Sequence, residues 1–203
     1  MPEPLSVAIV VFEGFETLDA MGPLEMLGCQ PDTFKLTHVA EQAGPVSSIQ
    51  GTAVVASAAF AEAVQYDMLL VPGGLGARVQ AENEVMLDWL RDQAAGATYV
   101  TSVCTGSLIL GKSGLLDGRR ATTNKIAFDR VAEACPDVDW VRHARWVEDG
   151  KFWTSSGVSA GMDMSLALIA HHLGRKAAEK TAVWTEYMWN DDPNNDPFAK
   201  AFA

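Results

Sequence analysis

Cys104 sits where two local patterns meet. An apolar, β-branched run from Tyr99 to Val103 stops at this cysteine, and after Thr105 and Gly106 an apolar pattern resumes at Ser107, Leu108, Ile109 and Leu110. A cysteine at a strand-to-helix hand-over can be held out on a strained turn, the arrangement of a nucleophile elbow. Gly106 lets the backbone pass close to its neighbours. The first amides of the following helix, and its dipole, favour the thiolate and predict a lowered thiol pKa. The same amides can hold a developing negative charge. A buried structural thiol fits the local pattern as well, because unpaired cysteine is among the most buried residue types.

Two other turns carry groups that could serve such a thiol. Pro72-Gly73-Gly74 follows an apolar run; paired glycines there either expose N–H groups to an anion or simply make a tight turn. Asp19 lies beside Glu16 at the start of a helical pattern, a place acidic residues favour on dipole grounds alone. Near Cys104, an ionised Asp19 would raise the thiol pKa, whereas a protonated one could donate to the thiolate or pass a proton to substrate. No histidine flanks Cys104, which counts against a Cys-His hydrolase; His143 or His171 would have to reach it from a distance. His171-His172 reads as a packing or helix-end pair, and Met162 and Met164 as core. Ser155-Ser156-Gly157 either lines the same cleft or caps a helix.

The elements that must position these groups alternate. Strand patterns cover Leu5 to Phe12, Lys35 to Ala40, Asp67 to Val71 and Thr98 to Val103, with a shorter one at Arg119 to Thr123. Residues 45–55 suggest a hairpin turning near Gly51, and Glu148-Asp149-Gly150-Lys151 a second one between Ala144–Val147 and Phe152–Ser155. Helical spacing covers Glu16 to Gly28, Asn83 to Ala95, Ser107 to Ser113, Lys125 to Ala134, Ser159 to Leu173 and Arg175 to Trp189. Pro23 is compatible with the first of these near its first turn. This alternation predicts one domain with a mostly parallel sheet covered on both faces. It places the turns at Phe12–Asp19, Pro72–Gly76 and Cys104–Ser107 at the carboxyl ends of the strands, where such sheets bind ligands. From about residue 190 a turn-rich tail is expected to drape over the surface.

The 203 residues are 48% hydrophobic and 20% charged, a globular composition. No run of about 18 apolar residues suggests a transmembrane helix, and the N-terminus lacks the basic segment of a signal peptide. A net charge of -11 argues against nucleic acid and anionic membranes as partners, with Arg175–Lys180 the only short basic patch. Cys29, Cys104 and Cys135 make no disulfide framework or CxxC pair, which fits a reducing cytoplasm. Neither they nor the four histidines show zinc-ligand spacing, so no metal and no cofactor are expected.

Four segments together resemble a known family: FEGFETLDAMGPLEML, LLVPGG, YVTSVCTGSLILGKSGLLDGRRATTN and TSSGVSAGMDMSLALI. In this order, over nearly the whole chain, they are similar to the ThiJ/PfpI superfamily of the class I glutamine amidotransferase-like folds. The L-D-x-x-G-P and S-V-C-T-G-S segments are most similar to those of bacterial isonitrile (isocyanide) hydratases. The resemblance implies a flavodoxin-like three-layer α/β sandwich, usually a homodimer, with Cys104 as nucleophile and Asp19 as its acidic partner. It implies that Thr105 contributes its N–H and its hydroxyl, that the Gly73-Gly74 turn offers amides to the pocket, and that Gly157 lies on a loop beside it. The implied activity is hydration of isonitriles to N-substituted formamides through a thioimidate on Cys104. Alternatives are a redox- or electrophile-responsive role, or glyoxalase- or amidase-like chemistry, with the same cysteine. The sequence also departs from the pattern. Asn124 and Lys125 stand where hydratases carry His-Trp after Ala-Thr-Thr, and Thr105 stands where the superfamily's proteases carry histidine. No helix-turn-helix segment follows, so a DNA-binding role is not expected, and the acidic tail differs from those of the hydratases.

Overall fold

The computed structural model describes residues 3–201. In chain order the elements are β1 (Leu5–Val10), α1 (Thr17–Gly28), β2 (Phe34–Ala40), β3 (Gly44–Ser47), β4 (Ala53–Ala56), β5 (Ala58–Ala59), β6 (Met68–Val71), α2 (Ala77–Gln80), α3 (Glu84–Gly96), β7 (Tyr99–Val103) and α4 (Gly106–Lys112). They continue with β8 (Arg120–Ala121), α5 (Phe128–Ala134), β9 (Asp139–Trp140), β10 (Trp146–Asp149), β11 (Phe152–Ser155), α6 (Ala160–Leu173) and α7 (Arg175–Trp184).

Every residue of β6, β7 and β11 is buried, as strands covered on both faces must be. The seven-stranded sheet runs β10-β11-β7-β6-β1-β2-β5, parallel throughout except for the β10–β11 hairpin. Helices α1, α6 and α7 pack together on one side, and α2, α3 and α5 gather around α4 on the other. This is the expected flavodoxin-like three-layer arrangement. The chain leaves β1 toward β2 on one side and returns to β6 on the other. The strand order therefore reverses between β1 and β6, and a cleft opens at their carboxyl ends. Register lines those ends up: Val71 pairs with Ser102, and Val103 with Ser155, so Pro72, Cys104 and Ser156 emerge side by side.

Four local expectations are corrected. Pro23 lies inside α1, not in its first turn. Its ring packs on Gly161 of α6 while Gly22 faces Met162, so small residues bring the two helices close and offset the missing N–H donor. The helix expected from Lys125 begins at Phe128, because Lys125 turns inward and donates to Thr122 Oγ1 (2.9 Å) and to the Ala144 carbonyl (2.8 Å). Helix α7 stops at Trp184 rather than Trp189. Glu186 takes a left-handed φ of 49°, which turns Tyr187 and Trp189 back onto Asp163 of α6. The tail does not merely cover the surface: Asp196 is buried 3.7 Å from both Lys125 and Arg145.

Candidate active site

Cys104 has a left-handed φ of 58°. A non-glycine residue there is strained, and the strain persists only where the surroundings fix it. Here they do. The Cys104 N–H donates to the Ser156 carbonyl (3.0 Å), and its own carbonyl accepts from the Ser107 and Thr123 hydroxyls (3.0 Å each). Gly106 is required because a Cβ at that position would overlap the Val71 carbonyl oxygen at the end of β6. Cys104 is only 7% exposed, yet it lines a cavity of about 530 Å3. The strand-to-helix turn and the burial, alternatives at the sequence level, are thus both present.

Asp19, on the first turn of α1, is fully buried and meets this thiol. The Gly73 N–H donates to its Oδ2 (2.9 Å). The other oxygen, Oδ1, is buried without a hydrogen-bond partner, and the Cys104 thiol, a weak donor, lies against the carboxyl. Burial pushes the Asp19 carboxyl up to about 7; the Gly73 N–H opposes the rise, the nearby Glu16 charge adds to it, and the Cys104 thiol opposes it. The Cys104 thiol is pushed up as well, chiefly by burial and then by the Asp19 charge. The Thr105 N–H, the Asn124 side chain and the Thr105 hydroxyl pull it back in part. The expected lowering of the thiol pKa is therefore corrected. Helix α4 has only seven residues, and its dipole does not outweigh desolvation beside an acid. Packing around the sulfur thus favours the thiol over the thiolate.

The glycine turn organises the pair rather than offering free amides. The Gly73 N–H is engaged by Asp19, and the Gly74 N–H donates to Thr105 Oγ1 (3.1 Å). The Thr105 hydroxyl in turn donates to the Gly74 carbonyl (3.4 Å). A Cβ on Gly73 would stand 2.5 Å from the Thr105 nitrogen and 3.1 Å from Asp19 Oδ2, so only glycine fits between acid and elbow. Gly74, at φ 117°, links to Phe15 of the β1–α1 turn by an isolated bridge. The three turns flagged in the sequence are thus tied into one unit.

Asn124 completes the site and was not among the expected site residues. Its Oδ1 accepts from the Ile126 N–H (2.9 Å) and the Ala127 N–H (3.2 Å), which leaves Nδ2 to face the Cys104 sulfur. Nδ2 lies so close to Gly157 that a side chain there would displace it. The only signal in the sequence was the departure from the hydratase pattern at this position. Apolar walls come from Ile49, Leu75, Leu108, Ile126, Val131 and Val158, and Glu16, Arg78 and Arg130 also reach the cavity. No histidine lines it. His171 and His172 end α6 and pack on Tyr99, at the amino end of β7 and so across the sheet from Cys104. Among the described residues no group of three His, Cys, Asp or Glu is placed to hold a metal ion, and no helix is long and apolar enough to cross a membrane.

The DJ-1/PfpI family model matches residues 5–171. The chain belongs to the DJ-1/PfpI family. A relative in this family, an isonitrile hydratase of Pseudomonas putida, is 37% identical over 90% of this chain and 78% of its own length. A helix-turn-helix-type transcriptional regulator of Pseudomonas aeruginosa is 29% identical over 83% of this chain, which spans 51% of that regulator. Among solved structures, a ThiJ/PfpI family protein from Pseudomonas syringae superposes with a TM-score of 0.83 at 34% identity, covering 91% of this chain and 75% of the other. Drosophila melanogaster DJ-1beta has the same DJ-1/PfpI fold, with a TM-score of 0.81 at 19% identity, over 92% of this chain and all of the other.

Proposed function

We propose that the chain is a cysteine-dependent enzyme that hydrates isonitriles to N-substituted formamides. The observation that carries this reading is the Cys104–Asp19 pair: a thiol on a strained turn, facing one cavity beside a carboxyl that titrates near neutrality. The likeness to the P. putida isonitrile hydratase supports it.

The terminal carbon of an isonitrile is polarisable and carries no proton. Asp19, as carboxylate, takes the thiol proton while Sγ bonds to that carbon; the acid then returns the proton to the same carbon, leaving a thioimidate, S–CH=N–R. Asp19 next removes a proton from water as its oxygen adds to the thioimidate carbon, and that proton passes to nitrogen. The tetrahedral adduct expels sulfur, the hydroxyl proton goes to the thiol, and R–NH–CHO leaves. The Thr105 N–H and Asn124 Nδ2 face the charge that develops on sulfur. A raised thiol pKa suits this scheme, because the proton is available for delivery and the sulfur is ionised only as it reacts. A homodimer, a small-molecule substrate and a reducing cytoplasm, without nucleic acid or membrane as partner, belong to the same proposal; sedimentation measures the first.

Formamide formation from a simple aliphatic isonitrile tests the mechanism. Cys104→Ala is expected to reduce it to background, and Asp19→Asn to slow it about a hundredfold or more. Unchanged turnover in folded Cys104→Ala protein would exclude the scheme. Methylglyoxal in the same assay decides the glyoxalase-like alternative. The redox-responsive alternative needs an accessible thiol with a low pKa, and the burial and suppressed ionisation of Cys104 do not favour it.

A further inference from the structure

The cavity above Cys104 is apolar, with a charge pattern at its rim that the hydration chemistry does not use. Arg91, Arg119, Arg142, Arg145 and Arg175 each pair with a carboxylate. Among the described residues, Arg78, Arg120 and Arg130 pair with none, and two of these three line this one cavity. Carboxylates outnumber cations 26 to 15 in this protein, so unmatched arginines facing one cleft stand out against the overall charge. Their placement is specific. Arg78 lies on α2, just after Leu75, and Arg130 lies on α5, one turn beyond Ile126 and Ala127. Helix α4, whose Leu108 lines the cavity between them, packs against both α2 and α5. Both arginines are exposed and so stand at the mouth, whereas Cys104 is buried at the inner end.

The other charge in the cavity, Glu16, belongs to the α1 turn. Its Oε1 accepts from Gln50 Nε2 (2.6 Å), and Gln50 is fixed in turn by Thr17 Oγ1 (2.7 Å). An anion is therefore repelled from the α1 side and attracted to the α2–α5 side. The rest of the wall is largely hydrocarbon: Leu75 and Ile126 are exposed at the mouth beside the arginines, and Leu108 and Val131 are more deeply buried. Planar guanidinium groups suit carboxylate geometry.

We propose that Arg78 and Arg130 form an anion subsite at the cavity mouth, and that the preferred substrate is an isonitrile whose apolar chain ends in a carboxylate. The subsite stands on the geometry alone; the substrate class rests on the hydratase reading.

The test compares two isonitriles with the same aliphatic chain, one ending in a carboxylate and the other in the uncharged amide. Wild-type kcat/KM is expected to favour the carboxylate about tenfold, the effect of two solvent-exposed charge pairs. The preference should weaken as salt is added. In Arg78→Gln/Arg130→Gln the ratio should fall about tenfold, mainly through KM for the carboxylate. A ratio near one in the wild type, or one unchanged in the double variant, overturns the subsite. If neither isonitrile is hydrated, the hydratase reading fails, and calorimetric binding of hexanoate against hexanamide decides the subsite separately. Tighter hexanoate binding that is lost in the double variant upholds it; equal binding of the two overturns it.

Discussion

Burial suppresses the ionisation of both Asp19 and Cys104; the Glu16 charge adds to the effect on Asp19, and the Asp19 charge to that on Cys104. At the scale of single residues this has two measurable consequences. If Asp19 works as the base that draws the proton from sulfur, kcat/KM rises with pH through about 7, where its carboxyl titrates. A flat profile across that range would remove Asp19 from this role. Stability has the opposite slope. The folded carboxyl keeps its proton up to about 7, whereas the unfolded one loses it near its ordinary value of 3.8. The folded state therefore binds more protons within that window, and its stability falls as pH rises across it. Asp19→Asn keeps an acceptor for the Gly73 N–H and does not titrate. Denaturation of the two proteins side by side should show the variant gaining on the wild type from about pH 4 to 7, by up to about 4 kcal/mol. A gap that stays constant with pH would mean that Asp19 ionises normally.

At the scale of elements, the site depends on close approach of turns and on a buried ionic cluster. Helix α4 begins against the end of β6, with no room for a Cβ at Gly106. Gly106→Ala must push backbone from backbone, and a loss of about 3 kcal/mol is expected, together with displacement of the elbow; chemical denaturation reads the first and formamide formation the second. The cluster ties the tail to the loop before α5. Asp196 lies 3.7 Å from Lys125 and from Arg145, and Arg145 also bonds Asp163 of α6 at 2.7 Å. Burial draws the Lys125 ammonium down to about 8, and the Asp196 charge opposes that. Asp196→Ala leaves two buried cations short of a carboxylate, so a loss of about 3–5 kcal/mol is expected in urea denaturation. Because Lys125 follows Asn124 directly, isonitrile turnover should fall as well. A loss under about 1 kcal/mol would mean that the tail is only loosely held.

Across the whole molecule, chemistry gathers at one end of the sheet. Cys104, Asp19 and the glycine turn lie at the carboxyl ends of β7, β1 and β6, where the strand order reverses. The His171–His172 pair lies at the other end, against Tyr99, with His171 3.5 Å from Glu148. Replacing both histidines with alanine should leave turnover and its pH profile unchanged. A shifted profile would imply long-range coupling through α6. The net charge of -11 repels an anionic substrate at long range, so the effect of Arg78 and Arg130 must be local.

The alternation of buried strands and amphipathic helices was legible in the sequence because it is periodic, and periodicity is a local property. So was the strained cysteine, because its strand, Gly106 and the following helix are contiguous, and the family resemblance named Asp19 as its partner. Contacts between distant segments were not legible. Asn124 reaches the sulfur only because the loop after β8 folds back over β7, and Lys125 is an ion-pair partner only because residues 190–201 return beneath it. The sign of the thiol shift was also hidden: the helix dipole is visible in sequence, but the desolvation that outweighs it comes from packing around Cys104. Sequence by itself determined the elements and the strand-to-helix turn that carries Cys104. Only the tertiary structure decided the direction of the thiol's shift, the approach of Asn124 to the sulfur and the charges at the cavity mouth, because each depends on distances that chain spacing does not set.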